Sequence, residues 1–501
     1  MDTAGSGRLS VLNSQLYPGK ARPVRVLQYG EGNFLRGFAD HMIDIANEKG
    51  VFDGNIVIVK PRKGGSLQSF KNQDCRYTVR LKGVKSGRFV TETRVVSSVS
   101  GVVHSYDDFT AYMEYASEPE LRFVLSNTTE AGIVYKEEPL PPDSPPDTFP
   151  GKLTQFLYAR YLTFDGDDSK GLIILPAELI ENNGSVLKDC ILTYAGHWSL
   201  PRAFVRWLDG TCVFASTSVD RIITGFPKDG GEPQWKELGY EDRLLVEGES
   251  YGSWIIESDR PVAAELPLDM AGLPVIFTGD LESHKQIKVR ILNGAHTAMV
   301  PVSFLAGNGT VAQSMEDPLI RDFLTGIIYS EILPALPESG IDSSRFAGAV
   351  IDRFRNPGIC HSLLDISLNS VSKWRARCLP SLLDYFDKKK SLPCRLVFSI
   401  AALIAFYSSS KEGEGCLVGN RNSEAYLIKD DPAVLDFFCG RSIMDGAVVS
   451  EYLANGGFHG SDLNLIPGLA SAVEAYLGDI RDSGMRGALR RLMNDGTGDA
   501  E

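Results

Sequence analysis

The pattern of apolar and polar positions divides the chain into two textures. Near the N-terminus a six-residue apolar run, VRVLQY from Val24, predicts a short strand. It is followed at once by GEGNFLRGFADHMIDIANEKG, in which Phe34, Leu35, Phe38, Met42, Ile43 and Ile45 recur near helical period and Gly50 offers a C-cap. A second β-branched run, NIVIVK over Asn55 to Lys60, completes a strand, glycine turn, helix, strand unit. RFVLSN, GLIILP, CVFAST and LPVIFTGD continue the series, mostly separated by helical segments, as in a mostly parallel sheet covered on both faces. The stretch from Tyr77 to Ser100 alternates apolar and polar instead, which predicts an antiparallel hairpin. PLPPDSPPDTFP, from Pro139 to Pro150, reads as a loop within this domain.

After about Leu281 helical patterns dominate, at 282–300, 317–333, 360–373, 393–409, 432–439, 443–454 and 469–492, with few convincing strands. The expected organisation is an α/β domain over 1–280 and a mainly α-helical domain over 281–501, with no internal repeat. The most apolar run, LVFSIAALIAFY, is shorter than the roughly 20 residues that cross a bilayer and reads as a buried helix.

Composition narrows the ligand class. The 501 residues carry 51 Lys plus Arg against 64 Asp plus Glu, a formal net charge of -13, which argues against nucleic acid or an anionic membrane and for a small molecule. Eight scattered cysteines without a C-x-x-C pair are expected to be reduced thiols of a cytoplasmic protein, with no metal site. The polar N-terminus lacks an apolar segment of signal-peptide length. Nothing in these numbers sets an oligomeric state.

Gly30 and Gly32 stand where the first strand turns into a helix, the place where bare backbone approaches a pyrophosphate. The third glycine of the usual fingerprint is replaced by Leu35. A later strand ends in Ser126-Asn127-Thr128-Thr129-Glu130-Ala131-Gly132, small and polar residues at a carboxyl edge where such sheets bind ligands. The second strand ends in Lys60-Pro61-Arg62 with no acid nearby for a ribose, so the residues alone leave NAD and NADP both open.

The helix QIKVRILNGAHTA is interrupted by Lys288, Asn293 and His296, which at helical spacing fall within roughly a 140° arc. A lysine partly desolvated by Ile287, Val289, Ile291 and Leu292 is suited to exchange a proton near neutral pH, with the amide and imidazole holding the reacting oxygen. The bland alternative is a snorkelling lysine, a helix-breaking asparagine and a satisfied core histidine.

With QYGEGNFLRGF, SNTTEAG, PAELIENNG, TSVDRI, KVRILNGAHT and RFRNP in this order along nearly its whole length, the chain resembles the polyol-specific long-chain dehydrogenases, the mannitol dehydrogenase family. The resemblance implies a Rossmann-type N-terminal domain and a helical C-terminal one. It also implies NAD as cofactor, with Lys288 as acid/base and Asn293 and His296 holding the reacting oxygen. Gly30, Gly32, Asn33, Phe34 and Leu35 would line the dinucleotide, Thr129 and Glu130 would lie near the nicotinamide ribose, and Asp220 would sit close to the active centre. Leu179 falls where mannitol-type members carry a further oxygen-binding asparagine. Several motifs, SLNSVSKWRARCLPSLLDYF among them, are most similar to members acting on a sugar acid, whose carboxylate calls for a cation. Lys373 and Arg375 are the expected contacts, with Arg377 and Arg355 as further candidates. A reductase of the epimeric keto-uronate, fructuronate, and the polyol dehydrogenases are the alternatives within the family, and a dinucleotide-binding regulator the alternative outside it. His104, His197, His284, His361 and His459 belong to no constellation and are expected to be structural.

Overall fold

The computed structural model describes residues 9–85, 87–128, 132–258, 260–358, 361–407, 411–413, 415–421, 423–442 and 444–495. The chain divides into two compact units, Met1–Gly83 with Val90–Leu281, and Val84–Phe89 with Glu282–Glu501.

The first unit is organised by a six-stranded sheet, whose strands alone are numbered here: β1 Val24–Tyr29, β2 Asn55–Lys60, β3 Val99–His104, β4 Phe123–Ser126, β5 Ile173–Pro176 and β6 Val213–Phe214. All neighbours are parallel, in the order β3-β2-β1-β4-β5-β6. The strands read as unbroken apolar runs because alternate residues bury on opposite faces. Val26, Ile56, Ile58, Phe123 and Leu125 enter one core, and Leu27, Val57, Val59, Val124 and Ile174 the other.

The hairpin expected over 77–100 is only partly a hairpin. Tyr77–Lys85 and Arg88–Val96 belong to a separate four-stranded sheet with Val246–Glu249 and Ile223–Gly225. Val99–His104 instead leaves it to become β3. Its serine and glycine hide a strand whose place is fixed by pairing with β2. CVFAST likewise splits. Val213–Phe214 ends the parallel sheet, while Ser216–Asp220 pairs antiparallel with Ser253–Glu257.

The second unit is helical around one core, and LVFSIAALIAFY lies buried within helix Cys394–Tyr407. The helix expected over 360–373 is two, Leu363–Ile366 and Ser370–Arg377, divided at Asn369, whose φ is 56°. Helices Ser343–Phe354 and Leu379–Lys389 and the antiparallel strands Lys411–Gly413, Cys416–Arg421 and Glu424–Ile428 were not expected from the pattern. Among the described residues no helix is long and apolar enough to cross a membrane.

Candidate active site

In the first unit, β1 runs into a helix over 33–48 whose turn at Arg36–Asp40 is a wide π turn. Gly30 has φ 125°, and a Cβ there would lie 3.3 Å from the Asn127 carbonyl oxygen, so glycine is required by conformation and by space. Gly32 and Asn33 are exposed, and no heavy atom stands within 4 Å of a Cβ built on Gly32. The buried Arg36 clamps this turn. Its guanidinium donates to the Glu31 carbonyl, to Asn33 Oδ1 and to the Leu244 carbonyl, and burial pulls its pKa below the ordinary arginine value.

Side chains also tie together the carboxyl ends of the neighbouring strands. Asn127 Nδ2 donates to the Ala177 carbonyl at 2.8 Å. Buried Glu178 accepts from Ser126 Oγ, from the Thr128 N–H and from Thr128 Oγ1 at 3.0, 2.9 and 3.0 Å, and burial raises its pKa. Asn183 donates to the carbonyls of Pro176, Glu178 and Thr217 and accepts from the N–H groups of Gly184 and Thr217. Such a strand order places its switch point between β1 and β4, where dinucleotides bind. A positive-φ glycine, an open second glycine and a clamped turn fit a pyrophosphate there.

Of the residues assigned to this rim, Gly30, Gly32 and Asn33 are on it. Phe34 is half-buried and stacks on Phe38 with ring centroids 5.0 Å apart. Leu35 is 2% exposed and packs in the core, its Cδ1 3.8 Å from where a Cβ on Gly30 would stand. Thr129 and Glu130 lie outside the described residues. Asp220, half-buried, ends its strand opposite Ser253, and the next residue, Arg221, donates to the Gly37 carbonyl. Leu179 is 69% exposed.

In the second unit, Lys288, Asn293 and His296 share one continuous helical segment, α-helical over Leu281–Lys288, π-helical over Val289–Gly294 and α-helical again over Ala295–Leu305. The π turn alters the spacing argument. In a regular helix, residues five apart lie far round the axis, whereas an i→i+5 turn rotates Asn293 back toward the face of Lys288. Both are half-buried, with Ile287, Ile291 and Leu292 buried around them.

Neighbouring helices hold this segment in place. Arg290 Nη2 pairs with Asp384 at 2.7 Å and its Nε donates to Ser381 Oγ at 3.0 Å. Cys378 Sγ donates to the Gly294 carbonyl, and Arg377 Nη1 to Thr297 Oγ1 at 3.2 Å.

His296 stacks on Phe354, centroids 4.8 Å apart, and its Nε2 is buried with no hydrogen-bond partner among the described residues. Native structures seldom leave such an atom unpaired, and an incoming ligand oxygen would satisfy it. Burial first, then His361, Arg353, Arg377 and Lys373, pulls its pKa down to about 3, so the imidazole is neutral near neutral pH. The ring of His361 lies 5.7 Å from that of His296, which places His361 beside the site although sequence reasoning left it aside.

Lys373 and Arg377 are half-buried, one helical turn apart on Ser370–Arg377. Burial, then Arg377, lowers the pKa of Lys373, whose Nζ donates to the Ile366 carbonyl at 3.0 Å. Arg375 is not brought to this group. It is exposed, two residues out of phase, with its guanidinium near Gly457 and Gly460. Arg355 is exposed too.

A Rossmann-type unit of strand order 3-2-1-4-5-6, followed by a helical unit bearing lysine, asparagine and histidine on one segment, is the architecture of a two-domain dehydrogenase. The chain belongs to the mannitol dehydrogenase family: the Mannitol dehydrogenase Rossmann domain matches residues 24–270 and the Mannitol dehydrogenase C-terminal domain residues 280–480. It is 42% identical over 490 residues to an altronate oxidoreductase of Bacillus subtilis, covering 97% of this chain and 98% of that one. Against the altronate oxidoreductase of Escherichia coli O7:K1 the identity is 41% over 492 residues, covering 97% and 100%. Among solved structures, a D-sorbitol dehydrogenase in substrate-free form matches with TM-score 0.74 at 20% identity, over 96% of this chain and 100% of that one. A Pseudomonas fluorescens mannitol 2-dehydrogenase ternary complex with NAD and D-mannitol matches with TM-score 0.60 at 21% identity, over 96% and 99%. Both share the fold.

Proposed function

We propose that this chain interconverts D-altronate and D-tagaturonate with NAD, acting in the cytoplasm on a small sugar acid, and that Lys288 is its acid/base. The observation that carries the reading is the pair Lys373 and Arg377 beside the unsatisfied Nε2 of His296. Two cations on one helix face repel each other; Asp430 offsets this for Lys373 only from beyond ion-pair distance, and among the described residues neither cation makes an ion pair with a carboxylate, so an anionic ligand would relieve them. Near-full-length identity to altronate oxidoreductases supports the choice of anion.

Bound at the glycine turn, NAD supplies the hydride acceptor. Lys288 Nζ, in its amine form, takes the hydroxyl proton of the reacting CH–OH as the hydrogen on the same carbon leaves as hydride. In the reductive direction it returns that proton to the carbonyl oxygen. Asn293 and neutral His296 each donate an N–H to that oxygen and hold it before the lysine. Lys373 and Arg377 fix the far end of the substrate by its carboxylate, which orients the reacting carbon.

The test is NADH oxidation by purified protein with D-tagaturonate, D-fructuronate and D-fructose in parallel, repeated with Lys288→Ala. Turnover of tagaturonate that collapses in the variant is the expected result. Preference for fructose would remove the carboxylate argument, and activity surviving the substitution would remove the lysine mechanism.

A further inference from the structure

At the end of β2, Lys60 occupies the position that in this strand order meets the adenine ribose. An acid there accepts from the 2'-hydroxyl, and a cation accommodates a 2'-phosphate. Lys60 and the nearby Arg62 thus carry the charge of an NADP site. Neither, however, is at liberty to act as one. Lys60 Nζ is ion-paired with Glu31, the residue between the two glycines of the turn, and its side chain is 11% exposed against 30% for Glu31. The lysine is also confined by Gly65, whose φ is 73°, for a Cβ there would lie 3.1 Å from Nζ. Arg62 Nη2 donates to the Thr128 carbonyl at 3.3 Å.

We infer that Glu31 is the residue that selects NAD over NADP, an inference resting on the dinucleotide reading above. The missing acid of β2 is supplied from the glycine turn. One carboxylate oxygen of Glu31 neutralises Lys60. The other accepts no hydrogen bond among the described residues and is available to a ribose hydroxyl. The same carboxylate repels a 2'-phosphate, which brings close to two negative charges.

The experiment is calorimetric titration of the full chain with NAD and with NADP, for the unsubstituted protein, Glu31→Gln and the double variant Glu31→Gln/Lys60→Gln, with circular dichroism confirming that each is folded. Removing one charge at contact distance is expected to raise NADP affinity about tenfold or more in Glu31→Gln. In the double variant that gain should vanish, because the released cation is gone. If Glu31→Gln does not fold, Glu31→Ala removes the same charge and is read in the same way. An NAD to NADP affinity ratio unchanged in Glu31→Gln overturns the inference, and a gain persisting in the double variant overturns the part given to Lys60. Failure of the unsubstituted protein to bind either dinucleotide overturns the dinucleotide reading itself and the inference with it.

Discussion

Gly294 lies against the backbone of Arg377: a Cβ built on Gly294 would stand 2.8 Å from the Arg377 carbonyl oxygen. The glycine therefore sets how closely the helical segment of Lys288, Asn293 and His296 meets the helix of Lys373 and Arg377. Its backbone is helical, so conformation does not demand glycine here; space does. Gly294→Ala is expected to cost about 1–3 kcal/mol by overpacking. Because the strain falls between the groups proposed to hold the reacting oxygen and those proposed to hold the carboxylate, kcat/KM for the sugar acid should fall further than global stability predicts. Chemical denaturation and steady-state kinetics on one preparation check both.

His296 makes stability depend on pH in a direction that can be worked out. Its pKa is about 3 in the folded chain against an ordinary 6.5. Below pH 6.5 the unfolded chain binds a proton that the folded chain refuses, so this group's contribution is present above 6.5 and is lost as pH falls toward 3. The slope from one such group approaches ~1.4 kcal/mol per pH unit inside that window. Burial depresses His361 in the same direction. His296→Asn should flatten the pH dependence of the unfolding free energy between about 4 and 6 relative to the parent, as read by denaturant titration at several pH values. An unchanged slope would show that His296 is protonated in the folded chain.

The opposite sign belongs to Asp40, buried in the π turn of the glycine-turn helix. Its Oδ2 accepts from Tyr77 and Gln28, its Oδ1 has no hydrogen-bond partner among the described residues, and burial lifts its pKa to about 7. The folded chain therefore holds a proton that the unfolded chain releases near 4, so this contribution is present at acid pH and is lost as pH rises through 7. Asp40→Asn keeps the shape without the charge. Its stability relative to the parent should improve steadily as pH is raised from 5 to 8, measured by thermal melting across that range.

What could be read from the sequence was what depends on local composition. VRVLQY and NIVIVK announce strands because they are apolar on both faces and bounded by glycine or polar residues, and the buried helix of LVFSIAALIAFY follows from length alone. Val99–His104 was hidden because its strand identity comes from β2, a partner some forty positions away in the chain. Arg36 was passed over for a related reason. It stands inside an apolar helix, and its role as a clamp depends on the distant Leu244 carbonyl. His361 had no helical spacing to connect it with His296, and only folding places the rings together. Arg377 is different, since the signal was present. Lys373 and Arg377 are four apart and share a helix face, whereas Arg375 at two apart does not.

Asn183 illustrates a motif residue whose task is structural. Its amide makes five hydrogen bonds, joining the end of β5 to the Ser216–Asp220 strand. Asn183→Ala would leave buried carbonyls and N–H groups unsatisfied, at a cost on the order of 3 kcal/mol or more. The adjacent Gly184 approaches Ala215 so closely that a Cβ would meet its backbone at 2.6 Å. Asn183→Ala should lower the melting temperature, and NAD affinity should fall in the same measure as the folded fraction.

The two arginines of SKWRARC allow the proposed carboxylate recognition to be tested against a merely basic surface. Arg377 is half-buried, held by Thr297 and electrostatically coupled to His296 and Lys373, whereas Arg375 is exposed beside Gly457. Replacing Arg377 with methionine keeps much of its apolar bulk and removes the charge-assisted bonds, each worth ~1.5–3 kcal/mol in such a setting. KM for the sugar acid should rise by roughly ten- to a hundredfold, while turnover of an uncharged polyol should be unchanged or improved. Arg375→Met should leave both within about twofold, in keeping with the small effect of most surface substitutions. Parallel kinetics of the two variants on a sugar acid and on a neutral polyol decide the matter. Equal losses in both variants would mean that the basic helix acts through its overall charge and not through a site at Arg377.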